Sequence, residues 1–336
     1  MLDRPQIAWA LDELELRLGA RDAVFHPIDS WQGGTGAGTI VVFGLSDDAE
    51  TRRALALCGL ELPGAAESFA IFRAPADNPN VLFVCGADTR GLVYAITELA
   101  DRVRYSADLP GALAFPAALV ETPTASVRSI SKCFQSETED LPWFHDRAGW
   151  EEYLTTLVTH RFNRIALTLG MQYNYPYGSE FLSDVYFYHA YPFLVSPPGH
   201  DVAASGLSVD ERARNLESLK FIAREAERRG LQFQLALWTQ SYDFDECPNA
   251  RHQITGLGPA NIAAYCRDSL ALILAEVPEI SGLTLRVHVE CGIPEGAYEF
   301  WQTYFTAVTG AGRPIRLDLH AKGIDERMIE TALATG

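Results

Sequence analysis

The chain has 336 residues, 48% of them hydrophobic and 11% aromatic, and its 27 Lys and Arg against 44 Asp and Glu leave a net charge of −17. Such a composition excludes a disordered chain and predicts a folded protein long enough for a small domain followed by a larger one. The acidic balance argues against nucleic acid as a partner, because phosphates demand clustered Lys and Arg, and no run approaches 18 apolar residues, which argues against a membrane span.

Between Pro5 and Leu18, apolar residues Ile7, Leu11, Leu14 and Leu18 recur at helical spacing, and Thr39 to Leu45, Ser68 to Arg73 and Asn80 to Val84 read as strands. The glycine-rich run Gly33 to Gly38 precedes a strand, whereas a dinucleotide loop follows one and opens a helix, so it reads as a turn. Cys85 to Ala100 reads as a tight turn entering an amphipathic helix that ends near Tyr105. Residues 1–108 are thus expected to form a small α/β domain, and the Pro- and Ala-rich stretch at 109–126 a linker.

After the linker, strand and helix patterns alternate. Strands are predicted at Ser129 to Phe134, Arg164 to Leu169, Leu231 to Trp238, Gly282 to Glu290 and Ile315 to His320. Helices follow them at Gly149 to His160, Val209 to Arg229, Pro259 to Glu276, Tyr298 to Thr309 and Asp325 to Thr335. Five βα units in succession predict a parallel sheet, most simply that of a (β/α)8 barrel. Five units in residues 127–336 fall short of the eight, and about 250 residues, of a complete barrel. A C-terminally truncated barrel is the expectation, with an open five-stranded sheet as the alternative. The six cysteines, at 58, 85, 133, 247, 266 and 291, lack Cys-x-x-Cys spacing and read as reduced core residues. Met1-Leu-Asp-Arg-Pro5 has no basic region leading into an apolar run, so a cytoplasmic protein is expected.

The segment Val81-Leu-Phe-Val-Cys-Gly-Ala-Asp-Thr-Arg-Gly-Leu-Val-Tyr-Ala95 resembles the end of the small α/β domain that precedes the barrel in β-hexosaminidases of glycoside hydrolase family 20 and α-glucuronidases of family 67. Thr159-His-Arg-Phe-Asn-Arg-Ile-Ala-Leu-Thr-Leu-Gly170 resembles the passage from the first helix to the second strand of those barrels. The resemblance implies a glycosidase acting on an oligosaccharide or polysaccharide, with its general-acid carboxylate at the end of the fourth strand, where this chain has Glu290. Two departures stand out. Family 20 places an adjacent Asp-Glu pair there, and this chain has Val289-Glu290; where that family carries a His-x-Thr/Asp-type motif after the second strand, this chain reads Leu169-Gly-Met-Gln172. A substrate other than a simple N-acetylhexosamine is implied.

The residues themselves point to the same strand ends. In Leu283 to Glu290 and Ile315 to Lys322, apolar positions alternate with ionisable ones, which puts Arg286, His288 and Glu290 on one face and Asp318, His320 and Lys322 on the matching face of the next strand. In a barrel the site lies at the C-terminal strand ends. Glu290 is the candidate catalytic acid; Arg286, His288, Asp318, His320, Lys322, Trp238, Gln240 and Glu137 are candidate substrate contacts. Arg286, Lys322 and Arg316 suggest a glycan with uronic acid units. No organic cofactor is implied. The alternative is a metal-dependent barrel isomerase, epimerase or hydrolase holding a divalent ion with His288, Glu290, Asp318 and His320; a catalytically silent carbohydrate-binding unit is a third reading. The loop from Met171 to Ser208 carries Tyr173, Tyr175, Tyr177, Tyr186, Tyr188 and Tyr191, which suits a polyhydroxylated ligand. The acidic run Ser136 to Asp140 reads as solvated loop able to lend Glu137 to the site.

Overall fold

The computed structural model describes residues 4–24, 26, 28, 38–74, 78, 80–170, 186–240, 242 and 251–334. Most of the glycine-rich run, Cys247, and Tyr173, Tyr175 and Tyr177 lie outside the described residues. The chain divides into two compact units. The first comprises residues 1–128, 154–163 and 228–231, and the second residues 129–153, 164–227 and 232–336.

In the first unit a four-stranded sheet has the order β1 (Ile40–Leu45), β3 (Val81–Gly86), β2 (Phe69–Arg73), β4 (Leu119–Glu121). β1 and β3 run parallel, and β2 is antiparallel to both β3 and β4. β4 lies within the stretch expected to be a linker. Its Leu119 and Val120 pair with Ile71 and Ala70 of β2, so a segment whose Pro and Ala content spoke for a connector closes a sheet edge instead. Helix α1 (Pro5–Gly19) lies along α3 (Thr89–Tyr105), while α2 (Ala49–Leu57), which the sequence reading passed over, packs near β1 and β3. The turn into α3 is held by Asp88, whose carboxylate accepts the Gly91 N–H at 2.8 Å. Gly91 is required there, since a Cβ would stand 2.2 Å from the Ser68 carbonyl oxygen.

In the second unit β5 (Ser129–Cys133), β6 (Arg164–Leu169), β8 (Gln232–Leu237), β10 (Ile280–Arg286) and β11 (Arg316–His320) form one sheet in chain order, every pair parallel. The intervening helices include α6 (Arg147–Thr159), α8 (Val209–Arg228), α9 (Ile262–Glu276), α10 (Tyr298–Thr309) and, after β11, α11 (Glu326–Leu333). This is an α/β fold of the TIM-barrel kind, and its five parallel strands in sequential order follow from the five predicted alternations. Register explains the alternation in the sequence. Ile165, Leu167 and Leu169 align with Phe233, Leu235 and Leu237, and the last two with Leu283 and Leu285, all buried. The opposite face carries Thr168, Gln234, Thr284, Arg286, Asp318 and His320, so the pleat alone sorts an apolar face from a polar one.

Three details depart from the sequence reading. β10 ends at Arg286, not at Glu290, and the chain turns into a short 3-10 helix at Val289–Cys291. The acidic run is not loop: Ser136 caps α5 (Glu137–His145) by accepting the Glu139 N–H, and acidic side chains in a first turn suit the helix dipole. β7 (Ala203–Ala204) and β9 (Ile254–Thr255) form a small antiparallel ribbon in the connections. Among the described residues no helix is long and apolar enough to cross a membrane.

Candidate functional site

Three neighbouring strands deliver side chains to one level at their C-terminal ends. Arg286 closes β10 and is the register partner of His320, which closes β11. Trp238 follows β8, anchored by its N–H to the Leu169 carbonyl at 3.0 Å. The Arg286 guanidinium lies 4.5 Å from the Trp238 ring centre, and the His320 imidazole meets the same indole edge-on at 5.1 Å. His320 is held below the usual imidazole range, by its burial first and by the Arg286 charge next.

Beyond Arg286 the ladder runs out, because β11 has already ended at His320, and the chain folds back. His288 caps the 3-10 turn, its Nδ1 accepting the Glu290 N–H at 3.3 Å, and Gly292 leaves the turn at φ 91°. The Cys291 carbonyl accepts the Gln240 N–H at 2.7 Å, which ties the turn to the chain leaving β8. Glu290 therefore reaches the site through a turn and not by strand alternation. Its carboxylate is 10% exposed and meets the Lys322 ammonium, Arg286 Nη1 at 3.5 Å and His288 Nδ1 at 3.7 Å. Lys322, 53% exposed, covers this buried group from the solvent side. Gly323, at φ 67°, completes the packing, since a Cβ there would stand 2.4 Å from His288 Cδ2.

Glu290, Arg286, His288, His320, Lys322 and Trp238 are thus brought together, and three other candidates are not. Asp318 lies two residues before the end of β11, roughly 6–7 Å deeper in an extended strand. It is engaged by Arg164 Nη1 at 3.1 Å and Gln234 Nε2 at 2.7 Å, because a buried guanidinium on the inner face needs a counter-charge. Gln240 is buried, its Oε1 accepting the Tyr191 hydroxyl at 2.7 Å, and the Tyr191 oxygen, its one proton so used, accepts from the Tyr304 hydroxyl 2.8 Å away. Glu137 opens α5 and pairs with Arg251. Arg316 begins β11, four residues and roughly 13 Å of strand from His320, which removes it from the uronic acid contact expected of it.

Two further expectations are corrected. Tyr186, Tyr188 and Tyr191 are buried among Phe187, Phe193 and other rings, so packing accounts for these three. The metal quartet is not assembled: among the described residues, the grouping whose ligand atoms fall within 4.8 Å of one another is Glu137, Glu211 and His252. Asp318's engagement with Arg164 explains the loss of the quartet. The sequence reading also missed Glu295, whose carboxylate lies 3.3 Å from His288 Nε2, so one imidazole stands between Glu295 and Glu290. Its position in a loop after the strand leaves no periodic signal.

No protein-family model and no curated protein sequence matches the chain. Solved structures do. A family 138 glycoside hydrolase described as an enzyme targeting pectin rhamnogalacturonan II aligns over 98% of this chain with a TM-score of 0.65 at 18% identity. A family 20 exo-β-N-acetylglucosaminidase from Vibrio harveyi, in complex with N-acetylglucosamine, aligns over 95% with a TM-score of 0.51 at 9% identity. The chain spans 36% and 51% of the lengths of these two structures. The fold is glycoside hydrolase-like.

Proposed function

We propose that this chain belongs to the catalytic part of a glycoside hydrolase that cleaves a glycan, with Glu290 as its proton-donating carboxylate. The observation that carries the reading is Glu290 itself, a buried carboxylate at the C-terminal strand ends of a barrel-type sheet, ringed by Arg286, His288 and Lys322. Pairing with cations favours the ionised carboxylate, which has no proton to give. Substrate entry must therefore displace Lys322, whose exposure permits this, before Glu290 can take up a proton and pass it to the leaving glycosidic oxygen. Trp238 offers a ring face beside that position, and Arg286 and Lys322 supply cations for a carboxylated sugar. The pectin-targeting neighbour places pectic oligosaccharides first among substrates to try.

The test is Glu290→Gln in the full-length protein. Glycan cleavage should fall roughly 10²–10⁴-fold, with less loss on activated aryl glycosides, whose leaving groups need little protonation, while the variant stays folded, though less stable because the buried Arg286 loses its carboxylate. Equal rates for variant and parent on both substrates refute the role. Glycan binding without cleavage by the parent would select the silent carbohydrate-binding reading.

A further inference from the structure

Away from Glu290, the loops that follow β5, β6 and β8 bring together three side chains that the proposed hydrolysis does not use. Glu137 is the first residue of α5, Glu211 lies in the first turn of α8, and His252 shortly precedes β9. Their ligand atoms lie within 4.8 Å of one another. His252 is the informative member. It is 0% exposed, and its Nδ1 sits 2.7 Å from the Ser205 carbonyl, which as an acceptor requires the proton on Nδ1. In the neutral imidazole Nε2 then carries the lone pair; it is buried, has no hydrogen-bond partner among the described residues, and lies 3.7 Å from Glu137 Oε2. A buried polar atom of this kind is costly unless something else binds it.

Each of the three is also oriented by a group behind it. Arg251 pairs with Glu137 Oε1, and Glu137 Oε2 faces His252. The Tyr186 hydroxyl donates to Glu211 Oε1 at 2.9 Å and itself accepts from Asn215 Nδ2 at 2.7 Å. Ser205 fixes the His252 tautomer. Outer partners that set tautomer and carboxylate direction are the usual support of a metal centre. We propose that Glu137, Glu211 and His252 form a site for one divalent transition cation of the Zn²⁺ or Mn²⁺ type. One imidazole nitrogen with two carboxylates suits such an ion better than the all-oxygen shells of Ca²⁺ and Mg²⁺. Beside the three residues a cavity of about 630 Å³, lined by Glu137, Thr138, His145, Arg214 and Arg251 among others, leaves room for a further ligand on the ion. The site pins three strand-to-helix connections with one ion.

The full-length protein, stripped with a chelator and dialysed, is titrated with ZnCl₂ and MnCl₂ by calorimetry, and bound metal is measured by elemental analysis. About one ion per chain should bind, with a rise in the unfolding temperature. Glu211→Gln and His252→Gln should each weaken binding at least about 100-fold, beyond the 10–100-fold common for outer-shell changes. Glu211 is only partly buried, so its variant tests the site even if the change at His252 disturbs folding. Glu290→Gln should bind the ion as the parent does, which separates this site from the proposed hydrolytic one. Absence of stoichiometric Zn²⁺ or Mn²⁺, parent-like affinity in Glu211→Gln, or loss of the ion in Glu290→Gln overturns the proposal.

Discussion

His189 is a fully buried imidazole whose two ring nitrogens have no hydrogen-bond partner among the described residues; Tyr191 lies edge-on at 5.0 Å and Tyr265 stacks at 5.9 Å. Burial pushes its pKa from the usual 6.5 down to about 3. The unfolded chain therefore takes up this proton first as the pH falls. The stability tied to neutral His189 is whole above pH 6.5 and is lost progressively toward pH 3. At about 1.4 kcal/mol per pH unit, the loss is about 2 kcal/mol between pH 7 and pH 5 and about 5 kcal/mol by pH 3. His189→Leu removes the titrating group, while its packing cost is the same at both pH values and cancels in the comparison. Urea unfolding of the second unit, followed by tryptophan fluorescence, should show the parent losing about 2 kcal/mol more than the variant between pH 7 and pH 5. Equal losses would mean that the folded protein protonates His189 in this range, and the reasoning from its burial would fail.

Gly323→Ala places a Cβ on a left-handed residue and against the His288 ring, so urea unfolding should show a loss of about 1–2 kcal/mol, accompanied by weaker glycan cleavage as His288 shifts beneath Glu290; unchanged stability and activity refute the close fit. Asp318→Ala leaves the buried Arg164 guanidinium without its carboxylate. Because the Asp318 side chain is 43% exposed, the loss should be about 1–2 kcal/mol, not the 3–5 kcal/mol of a fully buried pair, and a neutral result would show that the pair does not support the inner face.

The parallel sheet was legible because strands buried on both faces write their register into the sequence: Ile165, Leu167 and Leu169, or Leu283 and Leu285, alternate with the polar residues of the other face. The same period located Arg286 and His320 correctly. It misled at Glu290, because hydrogen bonding to the neighbouring strand ended at Arg286 and a turn, which has no period of two, carried the carboxylate back. Asp318 matched the pattern as well as His320 did. What separated them was Arg164, more than 150 positions earlier, whose need for a counter-charge only the fold reveals. Glu137, Glu211 and His252 met from three connections, and β4 looked like a linker because a short edge strand needs little β propensity when its partner β2 is already in place.

The composition of the first unit sets an order on its making. Glu67 lies at its polar centre, bound by Arg90 at 2.5 Å, by Arg128 and by Asn163 Nδ2 at 3.0 Å; burial works to raise its pKa, but these donors hold its carboxyl below the usual range. Arg161 likewise reaches Glu98 at 2.7 Å, and Arg90 donates to the Gly230 carbonyl at 2.8 Å. Asn163, Arg161 and Gly230 arrive late on the ribosome. At roughly 5–20 residues per second, the hundred or so residues between Arg128 and Leu231 take about 5–20 s to synthesise. For about the first third of that interval the sheet of β1 to β4 can form before Arg161 and Asn163 have been made. The nascent unit therefore passes through a stage in which Glu67 has its two arginines but not Asn163, and Glu98 has Arg102 but not Arg161. A single cut after residue 128 would make that stage permanent.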